Sequence, residues 1–172
     1  VKEHTVIVNG VSKTYAMTGW RIGWLAAPKD VAKAIDSFQS HATSNPASVS
    51  QYATLAALNG SEEELQKMCA IFNDRRKFMI ERIHQIGHLD CIEPDGAFYI
   101  MLIVNKLYGK RYNGRKIGGS LDVADMLLEK GVAVVPGIAF GDDESVRLSY
   151  AISKEDIAEG LNRIEQFVKE VF

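Results

Sequence analysis

The chain has 172 residues, of which 47% are hydrophobic and 24% charged, and a formal net charge of −2. That is the balance of an ordinary soluble globular protein, with room for one domain plus part of another. It gives no electrostatic reason to expect nucleic acid or an anionic membrane as partner, and no apolar run approaches the roughly 18 residues of a membrane span.

Thr5–Val8 and Arg21–Ala26 are short β-branched or apolar runs that predict strands, which leaves residues 9–20 as their connection. No signal-peptide layout appears, and the valine start running almost at once into the first strand reads as a cut. Asp30 is expected to cap a helix carrying Val31, Ala34, Ile35 and Phe38 at helical spacing, broken at Thr43-Ser44-Asn45-Pro46. A second helix should present Val49, Tyr52, Ala53 and Ala56 and stop at Asn59-Gly60. Ser61 and Glu64 form a capping box for the longest helix, whose stripe of Leu65, Met68, Phe72, Met79, Ile83 and Ile86 runs to Gly87. At 1.5 Å per residue it would reach roughly 37 Å, a length that suits a connector between domains.

Ala97–Val104 predicts a strand, and 105–119 a basic loop with Lys106, Lys110, Arg111, Arg115 and Lys116. Such a loop is read as solvated, not as a nucleic-acid contact. Ser120 is expected to cap a helix ended by Gly131, Val132–Val135 to form a buried strand, and Val146–Ala151 another. Ser153 caps a terminal helix carrying Ile157, Leu161, Ile164, Val168 and Val171. The four histidines share no common face and Cys69 and Cys91 lack ligand spacing, so neither a metal site nor a disulfide framework is expected; a reducing cytoplasm is.

The chemistry concentrates at Ser12-Lys13-Thr14-Tyr15-Ala16-Met17-Thr18-Gly19-Trp20-Arg21-Ile22-Gly23-Trp24. Taken alone, Lys13 is a solvated loop lysine and Arg21 an exposed strand residue. A lysine near a second cation and apolar neighbours also suits an amine that forms a Schiff base, with an arginine to clamp an anion. In Val146-Arg147-Leu148-Ser149-Tyr150, strict alternation sends Val, Leu and Tyr to one face and Arg147 and Ser149 to the other.

The pattern Ser-Lys-x-x-x-x-x-Gly-x-Arg-x-Gly-Trp at 12–24 closely resembles the cofactor-lysine segment of class I, fold-type I pyridoxal-phosphate aminotransferases, the aspartate aminotransferase family. Pro94-Asp95-Gly96-Ala97-Phe98-Tyr99 and the stretch Gly131–Gly137, Phe140-Gly141 and Val146–Ala151 resemble later segments of that family, in the same order. The resemblance covers essentially the whole chain. It implies an α/β fold, the C-terminal part of a fold-type I enzyme: residues 1–60 as the end of the large cofactor-binding domain, and 61–172 as the connecting helix and small α+β domain.

It also implies roles. Lys13 would anchor pyridoxal 5'-phosphate as a Schiff base and move the substrate proton, Ser12 and Arg21 would hold the cofactor phosphate, and Arg147 the substrate α-carboxylate. Ser44 and Asn45 would lie near a dimer interface. Read from the residues themselves, Tyr15 and Trp20 are expected to pack around the lysine loop, and Phe98 and Tyr99 to belong to the core. The complete enzyme would be a homodimer passing an amino group from an amino acid to a 2-oxo acid. Its remaining cofactor-binding groups would precede the lysine, outside this chain, so the chain alone is expected to bind cofactor weakly and to be inactive. A fold-type I lyase, or the aminotransferase-like effector domain of a transcriptional regulator, would share the same lysine and arginines.

Overall fold

In the computed structural model, which describes residues 1–172, the first β-branched run becomes a strand at Ile7–Gly10 (β1), two residues later than predicted. It pairs antiparallel with Gly23–Ala26 (β2), placing Gly10 opposite Gly23. The close approach needs glycine: a Cβ at Gly10 would lie 2.8 Å from the Ile22 carbonyl oxygen.

Helix α1 (Lys29–Ala42) starts one residue before the expected cap. Pro28 takes the N-cap position and Asp30 sits inside the first turn, where its charge faces the positive end of the helix dipole. No residue of α1 is buried, and Phe38 is 73% exposed. Helix α2 (Ser48–Asn59) corrects the expected face. Val49 and Tyr52 are exposed, while Ser50 and Thr54 are buried and Ala53 and Ala57 pack against Val11, Met17 and Ile22. Residues 50, 53, 54 and 57 lie at the spacing of one helical face. Apolar side chains occur nearly all round α2, so periodicity could not select between faces. Thr54 Oγ1 is buried without a partner, and no contact in the structure explains it.

The chain divides into two compact units, Val1–Lys67 and Met68–Phe172. The division falls inside helix α3 (Glu63–Gln85), which buries Met79, Ile80 and Ile83. Its capping box is half formed. Ser61 Oγ accepts the Glu63 N–H at 3.1 Å, but Glu64 turns away to Lys67 at 2.9 Å.

The second unit is built on a four-stranded antiparallel sheet. Its strands β3 (Asp90–Ile92) and β4 (Tyr99–Ile103) are followed by a short hairpin, β5 (Arg111–Tyr112) and β6 (Arg115–Lys116), inside the stretch read as loop. After helix α4 (Ser120–Glu129) come β7 (Val135–Pro136), β8 (Ser145–Ser149) and helix α5 (Lys154–Val171). The order β3-β4-β8-β7 puts β4 and β8 in the centre. Ile100, Leu102, Val146 and Leu148 from these strands meet Ile83 of α3, Leu127 of α4 and Leu161, Ile164 and Phe167 of α5 in one core.

Two caps differ in origin. Ser153 caps α5 as predicted, accepting the Asp156 N–H at 3.0 Å. Ser120, predicted as a cap, is instead the first helical residue and is itself capped from Asp143. Gly131, expected to end α4, follows its C-cap Lys130 with φ +77°, the left-handed conformation that suits glycine just past a helix. No helix is long and apolar enough to cross a membrane.

Candidate active site

Between β1 and β2 the chain makes a compact loop, residues 11–22, whose side chains carry the lysine motif. Val11, Met17 and Ile22 are buried beneath it, and Tyr15 packs against them. Ser12, Lys13 and Arg21 come together above, lining one concavity of about 470 Å3 with Asn9 and Gly10. Arg21 has φ +58° and ψ 46°, a left-handed conformation rare for a residue with a Cβ. The turn holds it there. The Trp20 N–H donates to the Met17 carbonyl at 3.1 Å, Arg21 Nη1 to the Thr18 carbonyl at 3.2 Å, and the Thr18 hydroxyl to the Ser12 carbonyl at 2.9 Å. Arg21 and Ser12 are therefore tied through Thr18, and strain of this kind persists where neighbours over-determine it.

Two expectations about the surroundings need correcting. Lys13 and Arg21 are exposed, so the buried apolar residues lie under the lysine without enclosing it. Trp20 is 43% exposed, so of the two aromatics only Tyr15 packs against the turn's small core. Arg21 also borders a broader concavity with Trp24, Ile35, Asp36, Ser44 and Asn45, which gives the 43–46 break a place beside the arginine.

Arg147 belongs to the second unit, on β8 opposite Met101 of β4 and Val135 of β7. Alternation held: Val146, Leu148 and Tyr150 are buried and Arg147 faces the other way. Its environment was not foreseen. The guanidinium carbon lies 4.2 Å from the Tyr99 ring centroid and 4.3 Å from that of Phe140, over the face of each. No hydrogen bond or ion pair of the chain engages the guanidinium. Tyr99, read as core, is thus a neighbour of the arginine. Its position two residues from Met101 was visible in the sequence, but the cross-strand register was not.

Phe140 is presented by a rigid turn. A Cβ at Gly137 would lie 2.2 Å from the Asp142 carbonyl oxygen, so only glycine fits. The Asp142 N–H donates to the Gly137 carbonyl at 3.1 Å, and the Ile138 N–H to Ser120 Oγ at 3.2 Å. Ser120 donates its hydroxyl to Asp143 at 2.7 Å and its N–H at 3.0 Å, which together hold the Asp143 carboxyl below its ordinary range. Tyr108 donates its hydroxyl to the Asp143 carbonyl; burial, then the nearby charge of Asp143, pushes the Tyr108 phenol up to about 12. The histidines stay apart: His88 stacks on Phe172, while His84 approaches Cys91 and Asp90.

The sequence matches the family described as "Aminotransferase class I and II" over residues 1–164. The chain belongs to that family. It is 47% identical over 166 residues to an aspartate aminotransferase of Streptomyces avermitilis, covering 96% of this chain and 41% of the relative. An aspartate aminotransferase of Bacillus subtilis is 42% identical, with 98% and 42% covered. The crystal structure of the aspartate aminotransferase from Rhizobium meliloti superposes with a TM-score of 0.95 at 42% identity, covering 99% of this chain and 43% of that one. The chain thus spans about two-fifths of the length of these aminotransferases. Its mixed helices and sheets are those of part of a fold-type I enzyme, as the motif order implied. The class I and II aminotransferases are pyridoxal-phosphate dependent.

Proposed function

We propose that the whole protein transfers an amino group between an amino acid and a 2-oxo acid, with Lys13 as the group bonded to pyridoxal phosphate. The carrying observation is the single concavity shared by Ser12, Lys13 and Arg21 on a turn braced through Thr18. These residues suit the cofactor. A permanent cation and a hydroxyl can hold a phosphate dianion next to an amine that can bond to an aldehyde carbon. When bound, pyridoxal phosphate supplies an electron sink for charge developing at the substrate α-carbon.

The chain's own groups do the rest. Arg21 offers a planar fork of donors to the phosphate and Ser12 a hydroxyl donor, fixing the cofactor beside the lysine. The Lys13 amine, in its neutral form, takes the proton from the α-carbon and returns it, a general acid–base role. Arg147, with its donors uncommitted inside the chain, takes the substrate α-carboxylate in a charge-assisted pair.

Relatives named aspartate aminotransferase at 42–47% identity favour aspartate as the amino donor among the substrates the sequence leaves open. We assign residues 1–60 to the end of the large domain and 61–172 to the connecting helix and small domain. The whole enzyme is proposed as a cytoplasmic homodimer. Two free cysteines suit a reducing compartment, and Phe38 and Tyr52, 73% and 74% exposed on α1 and α2, offer apolar surface for a second subunit. In the whole protein, Lys13→Ala should lower transfer from aspartate to 2-oxoglutarate by at least about a hundredfold, the scale of a lost acid–base group. An unchanged rate would remove Lys13 from the chemistry.

A further inference from the structure

We infer that Tyr99 and Phe140 are positioning residues for Arg147, and that they preset it for an edge-on carboxylate in preference to a tetrahedral oxyanion. This rests on the reading of Arg147 as a carboxylate site.

The two rings arrive from opposite sides of the strand that bears the arginine. Tyr99 lies on β4 and Phe140 on the turn after β7, and β8 runs between those two strands. The guanidinium carbon stands over the face of each ring, at 4.2 and 4.3 Å. A flexible arginine with its donors uncommitted would ordinarily sample many rotamers and lose that freedom on binding. Ring faces on two sides hold it beforehand, through cation–π attraction and apolar contact along the stem. They leave its donor-bearing edge as the open approach.

That edge matches a carboxylate, which is planar and accepts two parallel N–H bonds. A phosphate or sulfate can offer the same two oxygens. Its other two oxygens then project out of the shared plane, toward the space flanked by the rings. The ring faces offer them no hydrogen-bond donor, and their negative quadrupole disfavours an anion. Phe140 is 50% exposed, a large cost in apolar surface for a residue with no core role. Gly137 and the Ser120–Asp143 bonds fix the turn that carries it.

The test is an NMR titration of the Arg147 Nε–Hε resonance in the 172-residue chain, with pyruvate and with inorganic phosphate as probes. In the wild type the resonance should be displaced by ring currents and shift saturably with pyruvate. Phosphate should bind at least about threefold more weakly at this site. Tyr99→Leu and Phe140→Leu should each weaken pyruvate about threefold to tenfold, the span of a partly exposed cation–π contact, and should relax the ring-current shift. Tyr99→Phe should retain both, because the ring and not the hydroxyl is invoked. Pyruvate binding unchanged in both leucine variants would overturn the positioning role while leaving Arg147 as a carboxylate site. Loss in Tyr99→Phe equal to that in Tyr99→Leu would overturn it as well, and equal affinity for phosphate would overturn the carboxylate preference. No saturable shift with pyruvate in the wild type would overturn both this inference and the substrate-carboxylate reading.

Discussion

Asp143 caps Ser120 from 23 residues away, accepting its backbone N–H at 3.0 Å and its hydroxyl at 2.7 Å. One carboxylate thereby satisfies an unpaired donor at the start of α4 and pins the turn that presents Phe140. Ser120 is fully buried, and its oxygen also accepts the Ile138 N–H. Ser120→Ala should therefore cost about 1–3 kcal/mol, the loss of one hydrogen bond to a carboxylate and one from a backbone N–H. Urea denaturation would measure it, and a variant as stable as the parent would show that the turn does not depend on this oxygen.

The helices α3 and α5 are joined by charge. Glu165 accepts from Lys169 within its own helix and from Arg82 of α3 at 2.5 Å, which together draw its carboxyl down to about 2 from an ordinary 4.5. A depressed carboxyl stabilises the fold above its unfolded value and loses that contribution as pH falls through the folded one. The acid limb of the stability curve should thus fall between about pH 4.5 and 2. Glu165→Gln should flatten that limb, and an identical limb in parent and variant would contradict the assignment.

Gly160 sits inside α5, and a Cβ built there meets nothing within 4 Å. The position also borders the slot between Leu148, Ile157 and Leu161. Gly160→Ala should stabilise by about 0.5–1 kcal/mol, since alanine surrenders less backbone freedom in a helix. Thermal unfolding would show a raised Tm, whereas a lowered one would mean the slot is narrower than it looks.

What the sequence alone could tell depended on how local each signal was. The Ser153 cap needs only the residues just after it, and Arg147's outward face needs only alternation along one strand; both were legible. The lysine motif was legible because Ser12, Lys13 and Arg21 share one turn. Tyr99 beside Arg147 and Asp143 on Ser120 were not, because each depends on strand register or on a turn returning from a distant segment. The buried face of α2 was missed for another reason. Its packing uses Ser50 and Thr54, which a hydrophobic pattern ignores, and leaves Val49 and Tyr52 outside.

The proposed activity depends on covalent chemistry at Lys13. The most direct measurement is borohydride reduction of the whole protein loaded with pyridoxal phosphate, followed by peptide mass mapping. The pyridoxyl mass should be fixed on Lys13 and be absent from the other lysines. Labelling at a different lysine, or no labelling, would contradict the role given to Lys13.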